Sequence, residues 1–103
     1  MKYSLVLQFP ANNIEDYDRL IEIEDALTKY LHGLANVDGH DSGSGEMNIF
    51  IFTGKPEETF EKAKVFIKAA GMLTTLSAAY RLTTENEYSR LWPVGLTEPF
   101  TVA

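Results

Sequence analysis

Residues 37–53, VDGHDSGSGEMNIFIFT, restrict what this chain can become more than any other stretch. Two runs of strand-like composition flank Ser42-Gly43-Ser44-Gly45, which reads as the turn of a β-hairpin. In the second run, residues 46–53, Met47, Ile49 and Ile51 point one way and Asn48, Phe50 and Phe52 the other. Apolar residues on both faces suit a central strand whose second face is also covered. The first run, residues 34–42, is a weaker, polar strand, with Ala35, Val37 and Gly39 on one side and Asn36, Asp38 and His40 on the other. Most residues capable of chemistry also fall here: Asp38, His40, Asp41, Glu46 and Asn48.

The remaining elements follow from their periods. Residues 2–9 alternate, with Tyr3, Leu5, Leu7 and Phe9 on one face, and Pro10 stops that strand. Asn12 or Asn13 can cap a helix over 14–31, with Glu15 or Asp16 three residues on. Its apolar stripe is Ile14, Tyr17, Leu20, Ile21, Leu27 and Leu31, while Glu15, Glu22, Asp25 and Lys29 lie on the solvated side. Glu24 falls within that stripe. It is either a long side chain reaching water past its stem or a buried acid of the kind that marks sites. Gly33 ends the helix.

Gly54-Lys55-Pro56 breaks the central strand and starts a second helix, with Phe60, Ala63, Phe66, Ile67 and Ala70 inward and Lys62, Lys64 and Lys68 outward; Gly71 closes it. Residues 74–83 alternate again. The order strand, helix, strand, strand, helix, strand predicts an α+β domain of the split βαβ, ferredoxin-like kind over residues 1–84, with both helices on one face of an antiparallel sheet. Residues 85–103 are too apolar for a loose end. They are expected to pack on the same domain or on a second subunit, with 96–102 as a short extra strand.

At 103 residues the chain makes one core. It has no cysteine, which excludes disulfides and thiolate metal sites. MKYSLVLQFPANN reads as a first strand rather than a signal peptide, and no run approaches a membrane-spanning length. A cytoplasmic protein with no membrane association is expected. The net charge of −6 opposes nucleic-acid binding; it reads either as a solubility device, the commoner role of an acidic surface, or as a field that speeds encounter with a basic partner.

With the helices on one face, strand parity leaves Ser4, Val6, Gln8, Asp38, His40, Asn48, Phe50, Phe52, Ser77, Ala79 and Arg81 on the open one. Two phenylalanines ringed by polar groups suit an interface or a ligand cleft, unless the tail lies across them. The run Asp38-Gly39-His40-Asp41 matches no metal-ligand template and reads as a hairpin-edge polar cluster, so no metal is expected. Gly43-Ser44-Gly45 lacks the lysine and following helix of a phosphate loop, and no cofactor is expected. Ser42 and Ser44 are turn residues rather than nucleophiles. A ligand site built from Glu24, His40, Asn48, Tyr80 and Arg81 would place a cation beside an imidazole and an amide, enough to hold an anionic or enolate-like molecule.

Over residues 2–83 the pattern, and VDGHD-SGSGEMNIFI in particular, resembles small bacterial ferredoxin-like proteins, many without an assigned activity. Acylphosphatases share the topology, but QFPANNI lacks the arginine-bearing loop of that family. Dimeric α+β-barrel monooxygenases are similar in length and employ residue types such as Trp92, His40 and Asn48. Size and charge are similar to those of acidic immunity proteins, which cover a toxin's basic site.

Three functions are therefore expected to compete. The first is a non-enzymatic acidic binding protein, of inhibitor or immunity type, using Asp38, His40, Asp41, Glu46, Phe50 and Phe52. The second is a small-molecule or cofactor-independent enzyme site at the five residues named above. The third is a homodimer pairing Phe50 and Phe52 across a two-fold.

Overall fold

The structure, a computed structural model describing residues 1–102, is an α+β domain. In chain order it contains β1 (Tyr3–Pro10), α1 (Ile14–Tyr30), β2 (Ala35–Gly43), β3 (Glu46–Thr53), α2 (Pro56–Ala69), a 3₁₀ turn (Leu73–Thr75), β4 (Ser77–Leu82) and β5 (Ser89–Trp92). The strands form one antiparallel sheet in the order β2-β3-β1-β4-β5. The arrangement is consistent with a ferredoxin-like type of fold to which β5 adds an outer strand. Among the described residues no helix is long and apolar enough to cross a membrane.

Both helices pack on one face. Leu5, Leu7 and Phe9 of β1 and Met47, Ile49 and Ile51 of β3 bury against Leu20, Ile23 and Leu27 of α1 and Phe60, Ala63 and Ile67 of α2. Burial of such side chains contributes about 1.5–3 kcal/mol each and drives the assembly. Each helix begins as its sequence dictates. Asn13 Oδ1 accepts from the Asp16 amide at 2.8 Å, and Asp16 Oδ2 accepts from the Asn12 amide at 3.2 Å, a reciprocal cap. Pro56 opens α2, and Gly71, at φ 75°, follows its end.

Three expectations need correction. The buried arc of α1 is centred between Leu20, Ile23 and Leu27, so Ile14 lies about 140° away at the helical pitch and is 79% exposed. Tyr17 also sits at the exposed rim. Lys64 is not a free outer cation, because its ammonium lies over the rings of Phe60 and Trp92. The fifth strand forms at Ser89–Trp92 rather than over 96–102. Leu91 and Trp92 reach the core there, the Trp92 indole donates to the Leu73 carbonyl at 3.2 Å, and Pro99 denies the later run a backbone donor.

The tail then crosses the face that the helices leave open. Phe100 is buried against Val6 and Ala79, with Tyr88, Phe50 and Val102 around it. Gln8 Nε2 donates to the Thr101 carbonyl at 2.8 Å. Much of the open face is thus closed by the chain itself.

Candidate functional site

The edge strand β2 does not keep a regular register. Val37 lies opposite Ile51 and Gly39 opposite Phe50, which leaves Asp38 as an extra residue, a β-bulge. From there the parity of β2 is inverted. His40 pairs with Ile49, on the helix side, and not on the open face where alternation places it. Gly39 makes the bulge possible with φ +153°, a backbone conformation that side chains resist. Gly39→Val is expected to cost about 1–3 kcal/mol in urea unfolding, the range for a residue forced into a strained backbone region.

The inversion delivers His40 to α1. Its Nδ1 lies 2.8 Å from Glu24 Oε1, and its Nε2 lies 3.1 Å from the Tyr17 hydroxyl. Glu24 is the better shielded partner, with side-chain exposure of 12% against 26% for His40. The carboxylate in the apolar stripe is therefore a half-buried acid paired with an imidazole, which answers the cost of its position. A carboxylate only accepts, so a neutral His40 donates from Nδ1 and accepts the Tyr17 proton at Nε2. Long-range nitrogen–proton NMR correlations should show the Nδ1-protonated tautomer. The opposite tautomer would mean that the chain of hydrogen bonds does not hold.

The other residues of the expected ligand site are dispersed. Asn48 lies on the far face, opposite Gln8, and Arg81 lies opposite Ser4, four positions or roughly 13 Å along β1. Arg81 donates to the carbonyls of Leu82, Thr83 and Glu85 and lies over Tyr88, so it secures a loop. Tyr80 faces the helix side, edge-on to Tyr3. Only Glu24 and His40 of the five meet, joined by Tyr17.

The expected partner-contact residues also divide. Asp38 is exposed on the bulge. Asp41 Oδ1 accepts from Asn48 Nδ2 at 3.0 Å, and Asn48 Oδ1 accepts from Gln8 Nε2 at 3.0 Å. With the Gln8–Thr101 bond this is a polar line across three strands to the tail, and it buries Asn48 almost fully. Phe50 belongs to the cluster under Phe100, and Phe52, half-buried, lies opposite Ser4 on the same side of the sheet. Glu46 stands at the start of β3, opposite Pro10.

Charge is distributed unevenly over this frame. Residues 15–46 hold nine of the fifteen carboxylates and two of the nine Lys and Arg side chains, a balance of −7; the rest carries six against seven, or +1. On α1, Asp18, Glu22 and Asp25 are exposed and lie within about 60° of one another, at the outward pole of the helix opposite Leu20, Ile23 and Leu27, where Lys29 also falls. Arg19 lies about 60° from Glu22 on the side of α2, lines a surface cleft with it, and donates to the Ala70 carbonyl at 2.8 Å. Neither the exposed acids of α1 nor Asp38 takes part in an ion pair among the described residues. Like charges kept together cost stability. Comparison of the chain with protein-family models, with curated proteins and with solved structures finds no match in any of the three.

Proposed function

We propose that this protein is a non-enzymatic acidic recognition module, of inhibitor or immunity type, that covers a basic surface of a protein partner. The observation that carries the reading is the confinement of the net negative charge to α1 and the neighbouring edge strand β2. The contact set is Asp18, Glu22, Asp25 and Asp38, with Ile14 and Tyr17 as the apolar element among them. Long-range attraction then speeds encounter, and desolvated contacts at the centre hold the complex.

The test is capture of the partner from the protein's own cells by four-site variants. Asp18→Lys, Glu22→Lys, Asp25→Lys and Asp38→Lys together should abolish capture. Glu57→Lys, Glu85→Lys, Glu87→Lys and Glu98→Lys, an equal charge change elsewhere, should retain it. Equal capture by both would refute the reading. The face variant should also be at least as stable as the parent, because self-repulsion is relieved.

A second reading is favoured by the Glu24–His40–Tyr17 chain, which orients an imidazole for proton transfer with a small molecule. Native mass spectrometry of protein purified gently from its host separates the two. An added mass of small-molecule size, lost on denaturation, supports the second reading.

A further inference from the structure

The entry to α1 and the β2–β3 turn enclose a shallow cleft of about 420 Å³, whose lining includes Asn12, Asn13, Tyr17, Ser42 and Glu46. A second cleft of about 270 Å³ shares Asn12, Gly45 and Glu46 and continues along Gln8 and Ser77. The walls are tied together, because the Ala11 amide donates to the Gly45 carbonyl at 2.9 Å.

Glu46 borders both clefts and is anomalous. Its Oε2 is buried and has no hydrogen-bond partner. A carboxylate oxygen removed from water and left unpaired is costly, and native structures seldom keep one without a reason. The residue opposite in β1 is Pro10, which has no N–H to offer. None of the three ion pairs among the described residues involves Glu46, and no group of three metal-ligating side chains stands there.

We infer that the cleft receives an arginine side chain of the basic partner, with the Glu46 carboxylate turning Oε2 out of its buried position to accept from the guanidinium and the stem lying along the Tyr17 ring. This deepens the acidic-module reading and rests on it for the partner. Guanidinium suits a recessed acceptor better than ammonium does. It is flat, weakly hydrated and carries diverging donors, which suits a cleft lined by several oxygen-bearing side chains, and it stacks on aromatic rings. The hydroxyl of Tyr17 is held at its far end by His40, which fixes the ring that the stem would cover.

The test is NMR titration of ¹⁵N-labelled protein with N-acetylarginine amide and, at matched ionic strength, with N-acetyllysine amide. The arginine probe should give saturable shifts at Asn12, Tyr17, Gly45 and Glu46, severalfold tighter than the lysine probe. Glu46→Gln, with the rest of the spectrum unchanged, should abolish them. Equal binding of the two probes, or full binding by Glu46→Gln, overturns the inference. The two levels fail separately. If partner capture depends on Asp18, Glu22, Asp25 and Asp38 but not on Glu46, the cleft assignment falls and the module stands. If the arginine probe binds through Glu46 while face reversal leaves capture intact, the cleft stands and the module reading falls.

Discussion

Asn48→Asp is expected to destabilise the domain by about 3 kcal/mol, the cost of placing an unpaired charge where a buried amide had two partners. Asn48 is 1% exposed and bridges Asp41 and Gln8, donating to the first and accepting from the second. An aspartate keeps the size but removes the donor, and sets its own charge against that of Asp41. Asn48→Ala should cost less, about 1–2 kcal/mol, because Asp41 and Gln8 can turn to water. Urea unfolding of the two variants checks the order. If aspartate were as mild as alanine, the amide would not be the link between β2 and the tail.

Phe100→Ala should cost about 2–4 kcal/mol, near the lower end of the range for buried phenylalanines because the ring is 9% exposed. The ring covers Val6 and Ala79, both fully buried, on the face opposite the helices. Its loss exposes that face, so the variant should also bind an apolar dye that the parent does not. A change under about 0.5 kcal/mol, the usual effect of a surface substitution, would mean that the tail does not seal the sheet. Arg90 should be affected too, since its guanidinium packs over Phe100 and donates to the Glu98 carbonyl.

The elements and their order were readable because their periods are clean. Glu46–Thr53 alternates without a break and forms β3 with those bounds. Asn13, Pro56 and Gly71 stand at the helix ends where their chemistry puts them. The site was less legible, for one physical reason. A single extra residue in β2 reverses every side chain after it, and alternation counted from Ala35 sends His40 to the wrong face. Gly39 inside a strand pattern was the available signal for such a bulge.

Glu24 was recognisable as misplaced on its helix, but its partners depended on that reversal. Tyr17 was hidden by its apolar body, which counts toward a buried stripe while its hydroxyl reaches His40. The charge segregation needed no structure to count, only a sum by segment instead of over the whole chain. Asp41 shows the opposite limit. It looks like a surface contact in the sequence, yet it holds Asn48 in place, so reversing its charge would confound binding with stability.

The acidic face of α1 and β2 as the contact surface is tested most directly by zero-length coupling of carboxylates to lysines in the captured complex, followed by mapping of the joined peptides. Links should run from the partner's lysines to Asp18, Glu22, Asp25 and Asp38. Links concentrated instead on Glu57, Glu58 and Glu61 of α2, or on Glu85, Glu87 and Glu98 near the tail, would contradict it.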